Sequence, residues 1–321
     1  MSGKVSPFDF SRLSREDLAA RGGKVKIADF GRPLPGGGSF AEWFDRLPGI
    51  LAARELRELV DAIVQARTAY RAVHFAMGAH VVKVGLGPVI ADLIERHIIT
   101  AVSVNGAFVI HEYELAATGC TSEDVDAVLG CGGFGVSEQS GRAFAEMVEL
   151  AERKTCGLGE ACAEFLATGD FPHAGATVLA TCHRFQTPVT VHAAIGADVV
   201  HTHPALDAAK LGRALMLDFQ IFATLVGRLE GGVYCNVGSA VLLPEVFLKA
   251  LSAVRNSGAE VRQLVTANLD FVSQYRPLTN VVNRPVREGG KGINLVGHHE
   301  IMIPLLAAAI VHRLWVPSED E

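Results

Sequence analysis

The chain has 321 residues, 49% of them hydrophobic and 20% charged, enough for a sizeable core in one α/β domain or in one domain with an extension. Its 29 Lys and Arg stand against 35 Asp and Glu, a formal net charge of -6, which supplies no basic field for nucleic acid and no polybasic run for an anionic membrane. The six cysteines form no CxxC, and glycines, histidines and charges break every run short of the ~18 apolar residues of a membrane span, so reduced thiols and a cytoplasmic location are expected.

Residues 1–70 read as an arm and an amphipathic helix. PLPGGGSF (33–40) is a loop, and ELRELVDAIVQARTAYRAV then places Leu56, Leu59, Val60 and Ile63 at helical spacing with charges opposite. Residues 71–315 form the main domain, and 316–321 a short tail. In the main domain, strands are expected at HVVKVG (80–85), TAVSVN (100–105), TVLATC (177–182), PVTVHA (188–193), GVYCNVG (232–238), VRQLVTA (261–267) and GINLVG (292–297). GPVIADLIERH, SGRAFAEMVELAERK, LDAAKLGRALMLDFQIFATLVGRL and LPEVFLKALSAVRNSG alternate with them as helices. Runs apolar on both faces and separated by helices imply a mostly parallel sheet covered on both sides, a Rossmann-like doubly wound α/β fold.

In such a sheet the ligand lies beyond the carboxyl ends of the strands, where helix N-termini present free amides to phosphates. The residues after each expected strand are therefore the informative ones. Gly85 and Gly87 in VKVGLGP permit close backbone approach, with Pro88 suited to a first helical turn. Asn105 and Gly106 open a helix that carries His111, Glu112 and Glu114; Gly238 and Ser239 open another; a further strand ends at TAN, with Thr266 and Ala267. Taken together, these turns point to a nucleotide-type ligand.

His201 and His203, in VHAAIGADVVHTHP, have a spacing that zinc sites use, but no HExxH and no paired CxxC fixes a third ligand, so no metal is assigned. The stretch GHHEIMIPLL (297–306) reads as a ligand-facing turn, with Gly297 for close approach and His298 or Glu300 for proton transfer, backed by an apolar helix. Glu112 and Glu245 are further acid or base candidates.

The segments HVVKVGLGPVIADLIERHIITAVSVNGAFVIHEYE, PVTVHAAIGADVVHTHP, GGVYCNVGSAVLLPEVFLKALSAVRNSGAEVRQLVTAN and GINLVGHHEIMIPLLAAAI, in that order, resemble the deoxyhypusine synthase family over roughly residues 70–312. The resemblance implies a Rossmann-like fold, a homo-oligomer (a tetramer built from dimers), and NAD used in transferring an aminobutyl group from spermidine. It implies cofactor contacts at Ala79, His80, Gly85, Asn105, Gly106, Gly238, Ser239, Thr266, Ala267 and Gly297. The family's catalytic lysine lies in a Trp-Gly-Lys stretch, to which GGKG with Lys291 is the nearest match. The family's Lys-His-His is replaced by Leu243, Pro244 and Glu245, and its acidic pocket loop carries Arg276, Arg284 and Arg287. Arginine selects carboxylates or phosphates. The expectation is an NAD-dependent transferase acting by transient oxidation on a small amine-containing substrate, anionic or zwitterionic. Lys291 would be the imine former, and His298, Glu300 and Glu245 the acid and base groups. Arg276, Arg284, His201 and His203 would lie on the substrate side. The alternatives are a deoxyhypusine or homospermidine synthase proper, a metal-dependent hydrolase, and a nucleotide-binding regulatory protein without turnover.

Overall fold

In the computed structural model, which describes residues 4–315, six strands form one all-parallel sheet: β1 (Val73–Met77), β2 (Ala101–Asn105), β3 (Val189–His192), β4 (Val233–Val237), β5 (Val265–Asp270) and β6 (Lys291–Val296). Their order is β3-β2-β1-β4-β5-β6, so the chain winds outward from β1 in one direction and from β4 in the other. The helices are α1 (Phe40–Asp45), α2 (Leu51–Thr68), α3 (His80–Lys83), α4 (Gly87–Glu95), α5 (Gly106–Thr118), α6 (Val125–Leu129), α7 (Glu138–Lys154), α8 (Leu158–Thr168), α9 (Val178–Arg184), α10 (Ala208–Val226), α11 (Leu242–Asn256), α12 (Tyr275–Pro277) and α13 (His299–Trp315). A π-helical turn, Leu278–Asn283, follows α12. The expected tail, 316–321, lies outside the described residues.

Both sheet faces are covered, which is why β1 and β4 are buried along their whole length and their sequences do not alternate. One face packs on α2, α4 and α13, and α10, α11 and the π turn cover the other. Helix α2 buries Leu56, Leu59, Val60, Ile63 and Ala66 in the same core as Phe75 and Met77. Residues 4–37, by contrast, bury no side chain.

The face beneath α10 and α11 carries a row of buried polar groups. His74 Nε2, Ser103 Oγ, Thr190 Oγ1 and His192 Nε2 are linked at 2.8, 2.6 and 3.1 Å across β1, β2 and β3. On the other half, Asn236, Asn268 and Asn294 stand in register, with the Asn236 amide donating to Asn268 (2.8 Å) and that of Asn268 to Asn294 (2.9 Å). Burial depresses His74 to about 3, with the neighbouring His192 adding to the effect, and burial depresses His192 to about 4. Both rings are therefore neutral core groups.

Edge strand β3 is closed by a carboxylate. Asp218, fully buried on α10, accepts from the amides of Val191 in β3 and Gly159 in α8, both at 2.8 Å, so one side chain ties the strand edge to a helix N-terminus. Gly157 makes room for it, since a Cβ there would meet Asp218 Oδ1 at 2.0 Å.

Three expected strand positions need correction. HVVKVG (80–85) is the short helix α3 and the turn after it, and the true first strand, VHFAM, lies just before it. TVLATC (177–182) is helix α9, started by the Thr177 hydroxyl accepting from the Ala180 amide and by the Glu112 carboxylate accepting from the Leu179 amide at 2.8 Å. The strand expected to end at 266–268 runs on to Asp270, paired with β6 throughout.

Candidate functional site at the carboxyl ends of the strands

The winding direction reverses between β1 and β4, the place where open α/β sheets leave a crevice for a ligand. After β1 the chain runs Gly78-Ala79-His80, and after β4 Gly238-Ser239. These turns are nearly in contact: a Cβ on Gly78 would sit 2.1 Å from the Gly238 carbonyl oxygen, so only glycine fits. Gly238 has φ +64, and a Cβ there would lie 3.2 Å from the His299 ring and 3.8 Å from His80 Cβ. Among the described residues the amides of Ala79, His80, Ser239, Ala240 and Val241 take no hydrogen-bond partner. Helix α13 starts at His299 beside them; the His299 and Glu300 amides take no partner among the described residues, whereas those of Ile301 and Met302 bond to the His298 carbonyl. Two short turns and a helix N-terminus thus present unpaired N–H groups around one glycine-lined gap. That arrangement suits a pyrophosphate.

The floor of the gap is aromatic and polar. His299 is buried, and its Nε2–H donates to the Leu269 carbonyl (3.0 Å), which leaves Nδ1 as a buried acceptor without a partner. His80 packs against His299 and Phe271 with ring centroids 5.2 and 5.3 Å apart. Burial, then the neighbouring His299, lowers the proton affinity of His80 against the opposing pull of Glu300 and Asp270.

The structure brings His80, Gly238, Ser239, Gly297, His298 and Glu300 to this rim. Gly297, just after β6, donates to the Asp270 carbonyl at the end of β5, and His298 is exposed with Nδ1 3.8 Å from Glu300 Oε1. Gly85, φ +77, lies beyond α3 with open space around its Cα. Asn105 and Gly106 stand at the end of β2, but the amides there are already used. Asn105 Oδ1 accepts from Phe108 N (3.0 Å), and the mostly buried Asp198 carboxylate lies against Gly106 and accepts from Ala107 N. Thr266 and Ala267 are interior residues of β5, the Thr266 hydroxyl donating to Val281 O at 2.6 Å. They are not at the rim because the strand continues past them.

Lys291 is not brought there either. It is the first residue of β6, at the amino end of the sheet, and its ammonium lies 2.9 Å from Glu58 on α2. Glu245, Arg276 and Arg284 do gather on one side of α11: Glu245 Oε1 accepts from Asn280 (2.9 Å) and lies 3.4 Å from Arg276, and Arg284 donates to Asn280 at 3.0 Å. Arg276 and Arg284 thus face a carboxylate and an amide of the chain itself. The bond to Lys249, followed by the charges of Lys249 and Arg276, outweighs burial and keeps the Glu245 carboxyl low. His201 and His203 lie on and just after a 3-10 turn (Val199–Thr202), not on a strand, with His203 Nε2 3.2 Å from Glu138. Among the described residues no three His, Cys, Asp or Glu side chains stand close enough to share a metal ion. No helix among them is long and apolar enough to cross a membrane. Glu112, an acid or base candidate from sequence, is buried as the cap of α9, and burial pushes it to about 8.

Solved structures share this fold at low identity. A conserved protein of Methanococcus maripaludis S2 assigned as LOR/SDH is 15% identical, with a TM-score of 0.51 over 81% of this chain and 68% of that one. AgrE, in its ternary complex with ornithine and NAD+, is 15% identical, with a TM-score of 0.53 over 84% of this chain and 35% of that one. A protein of Entamoeba histolytica assigned as a deoxyhypusine synthase is 10% identical, with a TM-score of 0.50 over 87% of this chain and 95% of that one. The chain thus spans about a third of AgrE's length. No protein-family model and no curated protein matches the sequence. These likenesses fix the fold and leave the family open.

Sequence reasoning passed over Gly78 and Asp198 and favoured His298 over its buried neighbour His299. Gly78 had a legible signal, a glycine directly after VHFAM, once that run is taken as the first strand. Asp198 had none, because its partner helix begins over ninety residues earlier in the chain.

Proposed function

We propose that the chain is an NAD-dependent enzyme that binds the dinucleotide pyrophosphate in the gap between Gly78 and Gly238. One observation carries the reading: the turns after β1 and β4 touch, and both leave their next amides unpaired. The cofactor complex of AgrE, a protein of the same fold, is consistent with it.

When bound, NAD supplies reversible hydride transfer. The chain's own contribution is the amide cradle, the aromatic floor of His80, Phe271 and His299, and proton handling at the rim. His80, with its lowered proton affinity, is mostly neutral near neutral pH and accepts a proton there. His298 and Glu300 are the accessible second pair. The substrate class proposed is a small molecule oxidised transiently at a C–N or C–O bond. Because Lys291 is tied to Glu58 at the far end of the sheet, the scheme uses no imine on that residue.

Calorimetric titration of the purified protein with NAD+ tests the assignment. The expected result is 1:1 binding that Gly238→Val weakens at least tenfold, since its side chain would enter the gap beside His80 and His299. Absence of binding, or equal affinity in the variant with an unchanged fold, overturns it.

A further inference from the structure

A cavity of about 840 Å³ lies over α5 and the 119–140 segment, on the β2–β3 side of the sheet. That volume is ample for a small-molecule ligand. Its wall is mainly apolar, with Ile110, Val125, Phe134 and Val199 contributing. One cluster of its polar groups is tied together by hydrogen bonds.

There, Thr121 Oγ1 donates to Glu114 Oε2 at 2.5 Å, and His111 Nδ1 lies 2.6 Å from the same hydroxyl oxygen. Ser140 donates to the other carboxylate oxygen at 3.4 Å. Burial works to raise the Glu114 carboxyl, but bonds from His111, Thr121 and Ser140 outweigh it and hold the group low, so it is ionised at neutral pH and only accepts. A hydroxyl has one hydrogen. Thr121 spends it on Glu114, so its oxygen must accept from His111, and His111 must be protonated on Nδ1. This places a proton on Nδ1, so the neutral ring carries its lone pair on Nε2, to which no group among the described residues bonds.

We propose that this cavity is a ligand site in which His111 Nε2 accepts a hydrogen bond from the hydroxyl of a neutral small molecule with an apolar body. The Glu114 carboxylate holds the Thr121 hydroxyl and Thr121 holds the Nδ1–H of the ring, which makes Thr121 and Glu114 positioning residues. The charges that line the cavity decide the ligand class. Glu114 comes from α5, Glu123 from the following segment, Asp198 from the chain after β3, and Lys83 alone from α3. Three carboxylates against one ammonium disfavour an anionic ligand, and the apolar wall disfavours a strongly hydrated cation. The site stands independently of the dinucleotide reading.

The test uses the full chain with 15N-labelled histidine, phenol as the probe and no NAD present, so its failure is separate from failure of NAD binding. Wild type is expected to show His111 as the Nδ1–H tautomer, with the Nε2 resonance, assigned by its loss in His111→Gln, moving saturably as phenol is added. Thr121→Val should shift the ring toward Nε2–H and weaken phenol about five- to tenfold, the scale of one positioned hydrogen bond. Val125→Trp, on α6 and not on the helix that carries His111 and Glu114, puts bulk into the cavity and should abolish binding while keeping the tautomer. No saturation in wild type, or a Thr121→Val protein with unchanged tautomer and affinity, overturns the proposal.

Discussion

Asp218 offers a direct test of how the fold is held, because its carboxylate does two opposing things. It satisfies buried amides of β3 and α8, and it is a charge in the interior. Burial, only partly offset by the bonds from Val191, Gly159 and Leu158, pushes it from the ordinary 3.8 to about 7. An acid whose proton is held more tightly in the folded state contributes most below its unfolded value and loses that contribution as pH rises to the folded one. Between pH 5 and 8 this group alone should cost wild type roughly 3 kcal/mol, at 1.36 kcal/mol for each tenfold change in proton affinity. Asp218→Asn keeps an acceptor for the amides and removes the charge, so its urea-unfolding free energy should lack this slope and exceed that of wild type at pH 8. Asp218→Ala lacks the slope too but strands the Val191 and Gly159 amides, so it should be about 2–4 kcal/mol less stable than the Asn variant at both pH values, at 1–2 kcal/mol for each buried donor left unpaired. An Asn variant with the wild-type pH slope, or an Ala variant as stable as the Asn one, would refute the reasoning.

Three further outcomes follow from the geometry. Gly78→Ala places a methyl group 2.1 Å from the Gly238 carbonyl oxygen, backbone against backbone; it should lower stability by about 3 kcal/mol or more and weaken NAD+ binding, read by denaturation and calorimetry. Lys291→Met removes a partly exposed ion pair with Glu58 and should change stability by less than about 1 kcal/mol, with NAD+ affinity unaltered; a large loss of binding would show that the amino end of the sheet takes part in the site. Asn268→Leu interrupts the asparagine row and should cost about 2–4 kcal/mol in chemical denaturation, since Asn236 loses an acceptor and Asn294 a donor.

The sheet could be read from the sequence because its strands are short apolar runs between amphipathic segments, and both signals are local. The errors arose where a longer-range partner decided the matter. VLATC has the composition of a strand, yet Glu112, more than sixty residues away, supplies the carboxylate that starts a helix there. HVVK is β-branched, but it directly follows a strand that already fills its place in the sheet, and so it turns. Of the glycines at strand ends, Gly238 and Gly297 lie beside the crevice. Asn105 looks the same in sequence, although Asp198 and its own side chain have taken up the amides beside it. The placement of Lys291 was illegible for a different reason: a lysine on a glycine loop looks alike at either end of a strand.

The asparagine row has a consequence for how this chain can change over time. Asn268 takes from Asn236 and gives to Asn294, so replacing it alone leaves two others short and replacing either end member leaves Asn268 short, whereas replacing all three with aliphatic residues of similar volume leaves only the Ser239 carbonyl, which accepts from Asn236, without its donor. Drift at positions 236, 268 and 294 should therefore be concerted, and a library randomising all three together should return mainly fully polar or fully apolar trios.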